Sequence, residues 1–183
     1  MALLLVLLAV IVTALFVAPH LIRRLEEYSY PLKYRETVDQ YAEEYQMDPL
    51  VIYAVIRTES GFDENAESNV GARGLMQITE ETFAWIKLKI APNESLTFDD
   101  LWDPQVNIRF GGYYLDCCLE RYGGDLATAS AAYHSGWGTV DGLLEQAQYA
   151  AGEDRLAEFP YPQMARYVKK VTSAYQSYQR LYR

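Results

Sequence analysis

Val55–Phe62 reads VIRTESGF, and Gly71–Ile78, which follows after a short polar segment, reads GARGLMQI. The first stretch ends an apolar helical pattern on one carboxylate, Glu59. An acid in such surroundings is poorly solvated, and the C-terminal end of a helix also disfavours negative charge. Glu59 is therefore predicted to hold its proton near neutral pH and to be able to donate it as a general acid.

The composition is that of a folded domain with an acidic surface. The chain has 183 residues, 50% of them hydrophobic, with 16 tyrosines and a net charge of −9. This length allows one domain with a real core and an appendage. Because an acidic surface repels phosphate backbones, nucleic-acid binding is not expected. A substrate would have to be held by shape and hydrogen bonds.

The cysteines and histidines offer little for metal or thiol chemistry. Cys117 and Cys118 are adjacent and cannot close a useful loop, so both are predicted to be free thiols. The two histidines, His20 and His134, are too few for a His-rich metal site, and neither a metal nor a cofactor is predicted. A Cys–His peptidase would require His134 to lie beside one of the thiols.

The N-terminal segment, 1–18, is predicted to be a membrane anchor or signal-like helix. It is apolar from Leu3 to Val17 except for Thr13, and as a helix it is about 25 Å long, barely enough to cross a bilayer. The absence of a small-x-small cleavage site before Pro19 favours an uncleaved anchor over a signal peptide.

The basic residues around this segment predict which side of a membrane the rest of the chain would face. Arg23 and Arg24 follow the apolar run and no basic residue precedes it, so the positive-inside rule points the rest of the chain toward the cytoplasm. A basic extension upstream of Met1 would reverse that expectation.

After a polar connector, 19–33, the pattern over 34–183 predicts a compact all-α domain of about seven helices. Tyrosines and aliphatic residues recur with a helical period after Tyr34 and again over 163–182. No alternating strand pattern of useful length occurs, apart from a short extended piece near 95–98.

Capping residues predict where the helices begin and end. Helix starts are marked at Asp48-Pro49, Thr79-Glu80-Glu81, Asp103-Pro104 and Asp125. Glycines mark helix ends at 61 and 123–124, and the segment 136–139 is predicted to be a turn.

Several ordered blocks resemble one known family. They are Glu59-Ser60, the GARGLMQ run at 71–77, Asp103-Pro104 with the helix that follows it, Ala131-Ala132-Tyr133, and the segment 167–175. Together they resemble the lytic transglycosylase domain of the soluble-lytic-transglycosylase type, in the goose-type-lysozyme-like superfamily (glycoside hydrolase family 23). The resemblance covers roughly 36–182, and its specificity lies in the order and spacing of the blocks.

The resemblance implies an all-α, lysozyme-like fold and an enzyme that acts on peptidoglycan glycan strands. The family cleaves the β-1,4 bond between N-acetylmuramic acid and N-acetylglucosamine without a metal and leaves a 1,6-anhydromuramic end. Most glycosidases use two carboxylates, but the family's mechanism needs one, because the substrate's own 2-acetamido group assists. By resemblance, Glu59 is the single catalytic acid/base.

The resemblance also implies a set of residues that line the glycan cleft: Ser60, Ser68, Met76, Gln77, Tyr133 and, from the last helix, Tyr167. Each has a structural alternative. Ser60 could cap a helix end, Ser68 could be an ordinary loop serine, and Gln77 a helix-start side chain. Met76 and the two tyrosines could fill the core.

Three positions depart from the family's pattern. His134 stands where the family usually has Asn, Ser135 where it has Ala, and Gln163–Ala165 where it tends to have Glu-Thr-Arg. We expect these departures to affect the pH optimum and the turnover more than the reaction class.

The leading hypothesis is an anchored lytic transglycosylase in the cell membrane, with its catalytic domain on the extracytoplasmic, cell-wall side. The alternatives are a lysozyme-type hydrolase on the same fold, a non-catalytic peptidoglycan-binding scaffold, and an all-α cytoplasmic domain with an accidental match. No protein partner follows from the sequence.

Overall fold

The computed structural model of the protein describes the backbone of residues 2–183 and the side chains of Leu7 and residues 12–183. The described chain is all-helical, as predicted, with three isolated β-bridges and no strand. Its α-helices are α1 (Ala2–Ser29), α2 (Arg35–Glu44), α3 (Pro49–Glu59), α4 (Glu80–Ile90), α5 (Pro104–Arg121), α6 (Leu126–Ser135), α7 (Trp137–Leu144) and α8 (Pro162–Tyr182), with a short 3-10 helix at Phe98–Trp102.

The predicted helix starts are confirmed at the level of individual caps. The Asp48 side chain accepts a hydrogen bond from the backbone N–H of Leu50 at 3.0 Å, with proline in the first turn of α3. Asp103 accepts from the N–H of Gln105 at 2.7 Å and opens α5 in the same way. Asp125 caps α6. Such caps contribute about 1 kcal/mol each and fix where the chain enters a helix.

Helix α3 lies at the centre of the domain. It is apolar on most faces, and every residue from 50 to 56 is buried. It packs against α8, which in turn packs against α6. Each fully buried aliphatic or aromatic side chain here contributes about 1.5–3 kcal/mol of burial free energy. This packing fixes the last turn of α3, and with it Glu59, relative to α8.

The predicted turn at 136–139 is shorter than expected. Only Gly136, with φ of 80°, is non-helical, and α7 begins directly at Trp137. The Trp137 ring packs edge-on against Trp85 at 5.1 Å and stacks on Tyr114 at 5.7 Å. These long-range contacts hold the chain in a helix where glycine spacing alone predicted a turn.

The first helix continues through the segment predicted as a connector, up to Ser29, and contains Pro19. Its end is attached to α8, because the Tyr182 hydroxyl donates to the carbonyl of Tyr30 at 2.7 Å. Among the residues that the structure describes, no helix is long and apolar enough to cross a membrane. Most side chains of 1–18 lie outside the described residues, so the anchor stays a prediction.

The two cysteines are free, with Cys117 partly buried and Cys118 buried. Burial raises the pKa of the Cys118 thiol to about 12, and its hydrogen-bond partner is the Trp137 indole N–H at 3.1 Å. In the described chain no hydrogen bond joins His134 to either thiol. A thiolate nucleophile of the Cys–His type is therefore disfavoured.

Candidate active site

Glu59 lies at the edge of a cleft of about 240 Å³ formed by the end of α3, the loop that follows it, and helices α4, α5 and α6. Glu59 is the only carboxylate among the described residues that line it. The others are Ser68, Val70, Ala72, Gln77, Ile78, Thr79, Thr82, Tyr114, Tyr133 and His134.

The Glu59 side chain is partly buried and is held by one strong hydrogen bond. The Tyr167 hydroxyl donates to Glu59 Oε1 at 2.6 Å, from α8 to the end of α3. Burial raises the pKa of Glu59 to about 7, although the Tyr167 hydrogen bond and the positive charge of Lys170 act in the opposite direction. The pKa of Glu59 is raised, as the sequence predicted, and at neutral pH both the acid and the base forms of the carboxyl are present.

Both tyrosines around Glu59 are held as hydrogen-bond donors. The Tyr133 hydroxyl donates to the backbone carbonyl of Met76 at 2.8 Å. Burial first, and the nearby Glu59 carboxylate second, raise the pKa of both Tyr133 and Tyr167 well above the ordinary value. Neither hydroxyl ionises near neutral pH, so the arrangement around Glu59 is fixed over the range in which Glu59 itself titrates.

Replacing Tyr167 with Phe should raise the pKa of Glu59 further. The carboxylate form would lose a hydrogen bond to a charged group, which corresponds to an increase of about one pH unit. The measurement is the pH titration of the Glu59 carboxyl carbon by NMR.

The matched control for this variant is Tyr175→Phe, which removes a comparable α8 hydroxyl, one that donates to Asp48 at 2.7 Å instead. An unchanged Glu59 pKa in Tyr167→Phe, or an equal increase in Tyr175→Phe, would contradict the assignment of Tyr167 as the group that positions Glu59.

The glycine-spaced loop at 71–77 forms one wall of the cleft. Gly74 has a φ of 72°, and a Cβ built on it would lie 2.1 Å from Asn107 Nδ2 and 2.5 Å from the Leu101 carbonyl oxygen. Only glycine fits there. Gln77 also holds a left-handed φ, 51°, and its Nε2 donates to the carbonyls of Ala66 and Gly74, both at 2.9 Å.

Asn107 is the buried residue that supports this loop from α5. Its Oδ1 accepts from the N–H of Met76 at 2.8 Å, and its Nδ2 donates to the carbonyls of Arg73 and Leu101 at 2.9 and 2.8 Å. Asn107 lies in the helix after Asp103-Pro104, which resembles the family, but no role for Asn107 itself was predicted from the sequence. The available signal was an amide side chain three and four positions before Phe110 and Gly111, on the face of α5 that the structure buries.

Three of the six predicted cleft residues line the cleft, and one more contacts the acid directly. Ser68, Gln77 and Tyr133 are lining residues, and Tyr167 is hydrogen-bonded to Glu59. The Ser68 hydroxyl accepts from the N–H groups of Val70 and Ala72 at 3.3 and 3.0 Å, so it also shapes the loop.

The other two predicted residues, Ser60 and Met76, lie just behind the cleft wall. The Ser60 hydroxyl donates to the carbonyl of Leu75 at 2.9 Å and accepts from the N–H of Phe62 at 3.1 Å. The Met76 side chain is fully buried against Gly111, where an added Cβ would lie 2.5 Å from its Sδ. A direct contact of either side chain with a glycan stays a prediction.

His134 lines the cleft and contacts Tyr167. Its ring stacks on that of Tyr167 at 4.5 Å and 13°, and burial lowers its pKa, so it is neutral near pH 7. It also borders a neighbouring hollow of about 500 Å³ that contains Gln163 and Arg166. All three departures noted in the sequence therefore border this hollow, and one of them, His134, also lines the cleft.

A larger hollow of about 630 Å³ lies between α2 and α5. It contains Asp116, whose pKa is raised to about 6 by burial and then by the neighbouring Glu120. No hydroxyl or amide among the described residues holds that carboxyl in place. Glu59, in contrast, has both a donor at 2.6 Å and an enclosed cleft.

An all-helical domain with one protonatable acid at a cleft is the lysozyme-like class of architecture that the sequence blocks implied. The chain belongs to the family described as the Transglycosylase SLT domain, whose sequence model matches residues 36–155.

Curated relatives include soluble and membrane-bound proteins. The chain is 32% identical over 160 residues to the soluble lytic murein transglycosylase of Escherichia coli K12, which covers 85% of this chain and 24% of that protein. It is 29% identical over 172 residues to membrane-bound lytic murein transglycosylase C of Yersinia enterocolitica, covering 81% of this chain and 47% of that protein. This chain thus spans about a quarter of the soluble relative's length.

Solved structures agree with this relationship. The 70 kDa soluble lytic transglycosylase of Escherichia coli superposes with a TM-score of 0.77 at 27% identity, over 85% of this chain and 25% of that one. An inactive Glu-to-Gln mutant of lytic transglycosylase Slt from Pseudomonas aeruginosa superposes with a TM-score of 0.74 at 30% identity, with the same coverage of each chain.

Proposed function

We propose that this protein is a peptidoglycan lytic transglycosylase that cleaves the β-1,4 bond between N-acetylmuramic acid and N-acetylglucosamine, with Glu59 as its single acid/base. The observation that carries the proposal is the position of Glu59. It is held by Tyr167 at the edge of a sugar-sized cleft with a pKa of about 7. The names of the relatives, which are murein transglycosylases, support the substrate class.

In the first step the protonated Glu59 donates its proton to the glycosidic oxygen. The bond to the anomeric carbon breaks, and the departing sugar leaves with a new hydroxyl. A pKa near 7 keeps enough of the acid form present at neutral pH for this transfer.

The positive charge that develops at the anomeric carbon needs a partner, and the described cleft has no carboxylate besides Glu59. The acetamido oxygen of the muramic acid residue can supply it by bonding to that carbon. Glu59, now ionised, then takes the proton from the C6 hydroxyl, whose oxygen displaces the acetamido group. The anhydro ring closes, the proton is back on Glu59, and no water is consumed.

The substrate class also bears on where the protein works. We propose that the partners are glycan strands, that the domain acts on the cell-wall side, and that segment 1–18 attaches it to the membrane. A membrane-bound relative is among the matches.

Digestion of purified peptidoglycan with the full-length chain, followed by mass analysis of the released muropeptides, tests the reaction. We expect products that end in 1,6-anhydromuramic acid, lighter by one water than the corresponding hydrolysis products. Reducing ends alone would instead support the lysozyme-type alternative, and unaltered glycan the scaffold alternative.

A further inference from the structure

A further hollow, separate from those described above, lies next to the last turn of α3, where that helix meets α8 and the segment after α1. Its volume is about 320 Å³, and it does not share a lining residue with the glutamate cleft. It is lined by Tyr30, Arg57, Thr58, Lys170, Ser173 and Ala174.

The charge in this hollow is positive and has no acidic partner. Elsewhere in the described chain, Arg73, Arg109 and Arg121 each pair with a carboxylate. Neither Arg57 nor Lys170 forms a salt bridge with a described residue, and no acid lines the hollow. Arg57 and Lys170 thus bring two positive charges to one hollow.

The Arg57 guanidinium is held in place without being neutralised. It stacks over the Tyr30 ring, with its central carbon 4.1 Å from the ring centroid. Its Nε is buried and has no hydrogen-bond acceptor among the described residues. A buried N–H without an acceptor costs about 1–3 kcal/mol, and no described residue satisfies this one.

The geometry points to an oxyanion-binding site formed by Arg57 and Lys170, with the exposed Ser173 hydroxyl at its edge, that takes a carboxylate or a phosphate group. A planar guanidinium presents donors that match such groups, and an ammonium adds a second positive charge. The hollow is open to solvent, so such a group can reach it without a rearrangement of the fold.

This site is linked to Glu59 by both helices that form it. Arg57 precedes Glu59 by two residues on α3, and Lys170 follows Tyr167 by one turn of α8. The other groups that face Glu59 are Tyr133 and Tyr167, which stay protonated, and His134, which is neutral. Lys170 is thus the charged group acting on Glu59, and it lowers the pKa of that carboxyl.

An anion bound beside Lys170 should offset this effect and raise the pKa of Glu59. By reciprocity, the anion should bind more tightly when Glu59 is protonated. If the proposed function holds, an anion at this site would extend glycan cleavage to higher pH. The binding itself does not depend on that function.

The test is an NMR titration of the full-length protein with inorganic phosphate and, in a separate arm, with acetate, at constant ionic strength. The resonances to follow are the Arg57 Nε–H and the Glu59 carboxyl carbon. We expect saturable binding, with the arm that binds more tightly identifying phosphate or carboxylate as the preferred group. Lys170→Gln should weaken binding by about tenfold or more.

Lys169→Gln is the matched control, since Lys169 is an exposed neighbour on α8 that does not line the hollow. It should leave the affinity unchanged. The proposal is overturned if neither anion gives saturable shifts, or if Lys169→Gln and Lys170→Gln weaken binding equally. Binding without any change at the Glu59 carboxyl would keep the site and overturn its coupling to the acid.

Discussion

Replacing Glu59 with Gln should lower the rate of peptidoglycan cleavage by about 10³-fold or more. A positioned general acid contributes about 10²–10⁴-fold, and here the same group must also serve as the base that closes the anhydro ring. Glutamine preserves the size of the side chain and can still accept the Tyr167 hydrogen bond, but it carries no transferable proton. The measurement is the rate of muropeptide release at pH 6–7, with Glu153→Gln as an exposed-glutamate control.

Glu59→Gln should also be more stable than the wild type at alkaline pH. A measurement of its stability therefore distinguishes a loss of activity caused by the missing acid from one caused by unfolding. Because the pKa of Glu59 rises from 4.5 to about 7 on folding, the native state binds its proton more tightly than the unfolded state. The resulting stability is present below about pH 4.5 and is lost as the pH rises through about 7. The difference corresponds to about 3 kcal/mol.

Chemical denaturation of the wild type and of Glu59→Gln at pH 5 and pH 8.5 tests this predicted pH dependence of the free energy of unfolding. The stability of Glu59→Gln relative to the wild type should increase between the two pH values. An active Glu59→Gln enzyme would refute the catalytic assignment. An inactive variant with no such increase would show that the carboxyl is not desolvated in the native state.

The predictions that succeeded rest on local rules. Helix starts could be predicted at Asp48, Asp103 and Asp125 because an N-cap side chain binds a backbone N–H only two or three residues further along the chain. The buried environment of Glu59 could also be predicted from the sequence. The seven residues 50–56, which precede the last turn of α3, are apolar, and the structure buries all of them. Burial is the main cause of the raised pKa of Glu59.

What the sequence could not supply depends on contacts between distant segments. The resemblance placed Tyr167 in the cleft but did not indicate its hydrogen bond to Glu59, 108 positions away, which the packing of α8 on α3 makes possible. Trp137 begins a helix rather than a turn because Trp85 and Tyr114 enclose its ring. The burial of the Met76 side chain against Gly111 likewise depends on the approach of α5 to the loop at 71–77.

His134 shows how such contacts change the meaning of a departure from the family pattern. From the sequence alone, the departure at this position was expected to affect the pH optimum and the turnover. Its stacking on Tyr167 and the burial that lowers its pKa make it an uncharged neighbour at neutral pH. Its effect on catalysis should therefore come through the position of the Tyr167 ring rather than through its charge.

Replacing Asn107 with Ala should destabilise the fold by about 3–5 kcal/mol and reduce activity as well. Asn107 satisfies three backbone groups that belong to Met76, Arg73 and Leu101, and it is fully buried. Alanine leaves those groups without partners and creates a cavity, and each unsatisfied buried group costs about 1–3 kcal/mol. The measurement is the free energy of unfolding by urea denaturation.

The loss of activity should exceed what unfolding explains, because the Met76 backbone that Asn107 holds also accepts the Tyr133 hydrogen bond. Loosening the loop at 71–77 would move one wall of the cleft while Glu59 stays attached to α8. Asn93→Ala, at an exposed position, should change stability by less than about 0.5 kcal/mol. If Asn107→Ala cost no more than Asn93→Ala, the glycine loop would be held by its own turns, and the support assigned to α5 would be wrong.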